Sequence, residues 1–293
     1  FGSPDCKIRS FTIYYEGNDD QLLQVLESYN GLTRLKIDKV PMANEETENF
    51  IQAITNSPSQ LTHLTLPFLG IENSNLDLVA KMVEAQKNLQ LLDLSHNPLF
   101  QVWADNAFET TNTSTETFCK VIGQHSSLEQ LVLLDCHWNT ETFLHLLRAV
   151  EQSHTLEKLH LSSIYGRKVR IEQTWLEYLP RLKNLKALYG LDRLLGTEQW
   201  KAEAVPYVRR NTSLSKLSTS GGSKLSLIDA ETSGILARNQ LLDATNGYKT
   251  TVSIPALNLW PKLLERLAER NVERSALFSF LQEKIHEHPE GRG

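Results

Sequence analysis

The chain has 293 residues and a formal net charge of −5, from 30 Lys+Arg against 35 Asp+Glu. Its 40% apolar and 22% charged residues match ordinary globular usage. That excludes a mostly disordered chain, the acidity argues against a general nucleic-acid binder, and no apolar run approaches the roughly 20 residues a membrane-spanning helix needs.

The chain opens Phe1-Gly2-Ser3-Pro4 without Met, as expected of a fragment or a processed product. A weak copy of a motif follows at Ile8, Phe11 and Ile13. The motif then becomes regular, an L-x-x-L-x-L pattern at Leu32, Leu35 and Ile37, at Leu61, Leu64 and Leu66, and at Leu89, Leu92 and Leu94. It continues at Leu128, Leu131 and Leu133 and at Leu156, Leu159 and Leu161. Two degraded copies start at Leu185 and Leu214. From Leu32 the first residues are 29, 28, 39, 28, 29 and 29 apart. One such pattern is worth nothing in a chain with 48 Leu against 13 Ile and 13 Val; a run at constant spacing is a repeat. The Leu excess also argues against a doubly wound parallel sheet, whose buried strands favour Ile and Val.

Each unit has room for one short strand, one helix and two turns. Counting its first Leu as position one, positions four and six are two apart and share a strand face. The following segment reads as a helix: Phe50 and Ile54 share a face, as do Leu76, Val79, Met82 and Val83. The best stripe is Phe143, Leu144, Leu146, Leu147 and Val150, and Trp175, Leu176 and Leu179 repeat it. Glu45-Glu46 and Asp19-Asp20 suit helix starts, near the positive end of the dipole. One strand-helix unit cannot bury its own face, so units must stack. We therefore expect parallel strands starting near residues 10, 34, 63, 91, 130, 158, 187 and 216.

The unit from Leu89 carries about eleven extra residues around 100–111, including Trp103 and Phe108, which an array loops out without breaking its stack. After the last unit, Trp260, Leu263, Leu264 and Leu267 make one helical stripe, with Pro261 in its first turn. Leu277, Phe280 and Leu281 make a second. These read as a cap over the last core layer. The expected organisation is an array of about eight units over 5–245, a helical cap over 246–285 and a polar tail over 286–293.

These repeats resemble leucine-rich repeats of the ribonuclease-inhibitor class, most clearly from Leu128 to Leu147. The resemblance implies an α/β horseshoe, a solenoid with a curved parallel sheet inside and helices outside. At position nine, where that class carries Asn or Cys, this chain has Asn97 and Cys136. The stretch Ala237–Leu242 with Leu259–Arg266 is similar to the carboxyl-terminal segment of diatom-type algal leucine-rich-repeat proteins.

Signatures of catalysis are missing: there is no P-loop, G-x-G-x-x-G, G-x-S-x-G, H-E-x-x-H or C-x-x-C. His63 and His160 fall three strands apart, too far to share a metal at about 4.8 Å per strand. Three cysteines, Cys6, Cys119 and Cys136, read as free thiols in a reducing compartment. The sequons at Asn112 and Asn211 weigh little.

Positions three, five and seven alternate with the buried leucines and point outward. There the reading places Leu91, Val132, Leu134, Tyr189 and Leu191, rimmed by Asp93, Lys158 and Asp135, with His160 among them. Apolar side chains on an open sheet face read as a partner site, and His160 would add pH dependence near neutrality. The expectation is a monomeric, cytoplasmic, non-catalytic scaffold holding a protein partner on its concave face, with no cofactor, metal, nucleic acid or membrane. The alternatives are the recognition arm of a larger F-box-like adaptor or receptor-like sensor, and a GTPase-activating protein using Arg34 or Arg167.

Overall fold

The computed structural model describes residues 8–14, 20–38, 44–100, 113–162, 176–190, 207 and 210–218. Its strands are β1 (Ser10–Tyr14), β2 (Arg34–Asp38), β3 (His63–Thr65), β4 (Leu91–Asp93), β5 (Gln130–Leu134), β6 (Lys158–Ser162), β7 (Ala187–Tyr189) and β8 (Lys216–Ser218). Every start coincides with the position set by the repeat. They form one eight-stranded sheet in the order β1 to β8, and every pair is parallel. Equivalent positions align across it, so Asp93, Val132, His160, Tyr189 and Ser218 lie in one row.

Among the described residues the helices are α1 (Asp20–Ser28), α2 (Asn44–Asn56), α3 (Leu76–Ala85), α4 (Thr113–Gln124) and α5 (Thr140–Gln152). Consecutive helices pack side by side. The stripes read from the sequence are their buried faces: Phe50 and Ile54 in α2, Leu76, Val79, Met82 and Val83 in α3, Phe143, Leu146, Leu147 and Val150 in α5. Leu144 is only half-buried at the edge of the last stripe. Leu176 and Leu179 are buried too, but the chain there makes a 3-10 turn, Leu179–Arg181, with Pro180 early in it. Trp175 lies outside the described residues.

The inner sheet columns and the helix stripes form one core cluster. Leu35, Ile37, Leu64, Leu66, Leu92, Leu94, Leu131, Leu133, Leu159 and Leu161 are all at most 1% exposed. Each such buried side chain contributes about 1.5–3 kcal/mol by leaving water. α4 and α5 approach so closely that a Cβ on Gly123 would lie 2.8 Å from the carbonyl oxygen of Ala149.

The strands end in a shared device. Phe68, His96 and Asp135, all at position eight, take left-handed φ values of 59°, 60° and 54°. The reversal turns position nine inward. Buried Asn97 there accepts from the amides of Leu69 and Ile71 (2.9 and 3.1 Å) and donates to the carbonyls of Leu66 and Leu94 (2.8 and 2.9 Å). Cys136 repeats the role weakly, its thiol donating to Leu94 and Leu134 at 3.6 and 3.5 Å. One side chain thus satisfies buried backbone groups of two successive turns, groups that are costly to leave unpaired.

A second polar spine, not foreseen from the sequence, runs past the amino ends of the strands. Three residues before position one, buried Gln86 accepts from Leu61 N–H (2.9 Å) and donates to the carbonyl of Ile54 (3.0 Å). His125, Ser153 and Asn211 hold the same place in later units and also bind backbone, His125 at the carbonyl of Gln86 and Ser153 and Asn211 at the amides of Leu156 and Leu214. Asn211 is fully buried with its amide nitrogen on the carbonyl of Leu179, so its sequon is occupied by folding.

Phe100 belongs to the core rather than to the insertion. Its ring lies 4.4 Å from that of Trp138 and 6.5 Å from that of Phe118. Residues 101–112, with Trp103 and Phe108, lie outside the described residues, as do Cys6, the capping helices expected over 246–285 and the tail at 286–293.

Candidate functional site

Strand alternation separates the two sides of the sheet, and what faces outward differs from unit to unit. In β2, Lys36 pairs with Asp38 at 3.1 Å, and Arg34 is exposed. In β3, the His63 imidazole lies 2.9 Å from the Thr62 hydroxyl. Burial and the positive charge of Arg34 hold its pKa below the usual imidazole range, against a smaller opposing pull from Glu129. In β4, Leu91 and Asp93 are half-buried, and one Asp93 oxygen accepts from both the amide and the hydroxyl of Ser95 (3.0 and 2.6 Å).

The later strands carry the aromatic part. The imidazole of His160 on β6 stacks on the Tyr189 ring of β7, with centroids 4.0 Å apart and planes 20° from parallel. On the other flank, the Gln130 amide of β5 lies 3.4 Å from His160 Nε2. Val132 sits beside His160 in the row but is only 9% exposed, so the patch presents mainly Tyr189, His160 and Leu134. Lys158, two residues before His160 on the same face, is exposed. β7 stops immediately after Tyr189 because Gly190 has φ 80°, which costs a non-glycine residue strain.

Of the expected site residues, the structure brings Val132, Leu134, Lys158, His160 and Tyr189 onto one outward area of β5–β7, with Leu91 and Asp93 one strand away on β4. Asp135 does not rim it. As a position-eight residue in a left-handed turn it is 4% exposed, with its carboxylate 3.2 Å from His96 Nδ1. Leu191 and Arg167 lie outside the described residues.

The sequence reading followed positions three, five, seven and nine, and of position eight it took only Asp135. There Phe68 is 41% exposed, and its ring lies 4.2 Å from the His96 imidazole and 5° from parallel. Phe68, His96 and Asp135 thus form a row across three turns. Three non-glycine residues at one repeat position, just before the Asn or Cys column, was the available signal.

The thiols have no role in this surface. Burial pushes Cys119 up to about 12, with a smaller contribution from Glu116, and raises Cys136 as well; both are free and buried. Among the described residues no group of three His, Cys, Asp or Glu side chains is placed to hold a metal ion, and no helix is long and apolar enough to cross a membrane.

The architecture has a counterpart among solved structures. The chain is similar to the leucine-rich repeat-containing protein LegL7 of Legionella pneumophila, with a TM-score of 0.50 and 18% identity over 85% of this chain and 75% of that one. The fold is a leucine-rich-repeat solenoid. The solenoid is also matched by the actin-binding site 2 of leiomodin-1, at a TM-score of 0.41 and 14% identity over 72% of this chain and 96% of that one. No protein-family model and no curated protein matches the sequence. Function must therefore be argued from the solenoid's own surface.

Proposed function

We propose that this solenoid is a non-catalytic scaffold that holds a protein partner against the outward face of its sheet, centred on Tyr189. The observation that carries the reading is the His160–Tyr189 stack beside Leu134, three strands deep on a face that stacking does not need. Tyr offers a large apolar area, one hydroxyl and few rotamers to freeze. The repeat length and the Asn97 and Cys136 pair favour the ribonuclease-inhibitor-like class of repeat. In this reading the array spans 5–245 and is capped by helices over 246–285, and the chain works as a cytoplasmic monomer.

The test is affinity purification with mass spectrometry on the wild-type chain and on Tyr189→Ala in parallel. A partner recovered with the wild type should be depleted with the variant, and its purified affinity should fall by about 2 kcal/mol or more. Partners recovered equally by both would place binding elsewhere on the solenoid.

A further inference from the structure

The outward faces of the first and second halves of the sheet differ in charge. On β1–β4 the carboxylates of Asp38 and Asp93 accompany Arg34 and Lys36, and Asp38 is already paired with Lys36. On β5–β8 the outward positions of Gln130, Val132, Leu134, Lys158, His160 and Tyr189 include no carboxylate, and Ala187, Lys216 and Ser218 continue the rows in register without one. Lys158 is exposed and forms no ion pair with any described residue. The flanking acids among the described residues are Asp93, beside Val132 in the same row on β4, and, at the amino-terminal rim, Glu157, bound to Lys186 at 2.7 Å, and exposed Glu129. In a chain of net charge −5, the described residues of β5–β8 thus place no carboxylate on the aromatic patch and set one exposed cation, Lys158, beside it.

Resting on the scaffold reading above, we infer that the partner segment is acidic: an extended stretch or loop with an apolar side chain against His160 and Tyr189, and carboxylates reaching Lys158. Complementarity of this kind fixes register and speeds encounter more than it deepens affinity, while the ring contact supplies the apolar area. An acidic segment laid along β5–β8 would meet the Lys158 ammonium and no carboxylate on the described strands. A basic segment would find no carboxylate among the described outward residues of those strands. The electrostatic share is exposed, so salt must weaken it.

The test is a display selection from a random short-peptide library on the full chain, repeated on Tyr189→Ala and on Lys158→Glu. Both variants should keep the wild-type thermal midpoint, since neither side chain supports the core. The expected pool is enriched in Asp and Glu flanking an aromatic or Leu. Its members should bind about tenfold more weakly to Lys158→Glu and weaken as salt rises. A pool lost on Tyr189→Ala but not acidic, or one whose binding ignores Lys158→Glu, overturns the acidic-partner inference and leaves the scaffold reading standing. An acidic pool indifferent to Tyr189→Ala overturns the scaffold reading itself, and an empty selection overturns both.

Discussion

The two sides of the sheet obey different rules. On the inner side, positions four and six are leucine or isoleucine in every regular unit and are essentially without exposure. Each must fill the same gap between strand and helix, so stacking fixes both the residue and its burial. On the outer side the same strands carry Lys36, Thr65, Asp93, Val132, His160 and Tyr189 in one row. Nothing in the stacking asks for that variety. The invariant side specifies the solenoid, and the variable side is free to specify a partner.

If that division holds, substitutions should rank by side. The largest effect belongs to the inner columns: Leu159→Ala, fully buried, should cost about 2–5 kcal/mol, read from denaturant midpoints. Asn97→Ala comes next. It strands the amides of Leu69 and Ile71 and the carbonyl of Leu66, and leaves the carbonyl of Leu94 only the long Cys136 thiol contact, and should cost about 2–4 kcal/mol. Cys136→Ala, which loses only two long thiol bonds, should cost about 1 kcal/mol. Equal losses at the two positions would contradict the assignment of Asn97 as the stronger rung. Gly123→Ala drives a methyl into the Ala149 carbonyl and should cost about 1–3 kcal/mol; a neutral result would mean α4 and α5 can separate freely.

Acid should act through the amino-end spine. His125 donates from Nε2 to the carbonyl of Gln86 and accepts at Nδ1 from the amide of Ser127, both at 3.3 Å, which requires the neutral ring. Burial lowers its pKa, against raising contributions from backbone hydrogen bonds with Gln86 and Val83. The unfolded chain therefore binds this proton more readily than the folded one. Its contribution is complete above the ordinary value of about 6.5 and is lost as pH falls below it, through the lowered folded value. Thermal midpoints between neutral pH and pH 5 should decline more for the wild type than for His125→Gln.

Much of this architecture was legible in the sequence, and the reason is redundancy. Leu64, Leu92, Leu131 and Leu159 do one job in successive units, so periodicity alone located the strands and their parallel register, even in the degraded unit around Leu188. Where one job is done by different chemistry, periodicity says nothing. Gln86, His125, Ser153 and Asn211 all satisfy backbone at the same place, yet share no residue type. The outer face was legible as a location but not as a surface. Val132 is shielded between its row neighbours, and Asp135 itself takes a left-handed conformation that alternation does not anticipate and is covered beside His96. The His160–Tyr189 stack depends on residues 29 apart in sequence, and Phe68 with His96 needed the turn geometry to be seen as a pair.

The most direct test of the account uses two adjacent residues. Leu188 faces the core at 2% exposure, and Tyr189 faces outward, half-buried against His160. Leu188→Ala and Tyr189→Ala should each be measured for thermal stability and for affinity toward a partner that the wild-type chain retains. The account predicts a loss of about 2–5 kcal/mol in stability for Leu188→Ala. For Tyr189→Ala it predicts a stability change within about 0.5 kcal/mol and an affinity loss of about 2 kcal/mol or more. A Tyr189→Ala protein that binds as tightly as the wild type, or that unfolds as readily as Leu188→Ala, would contradict it.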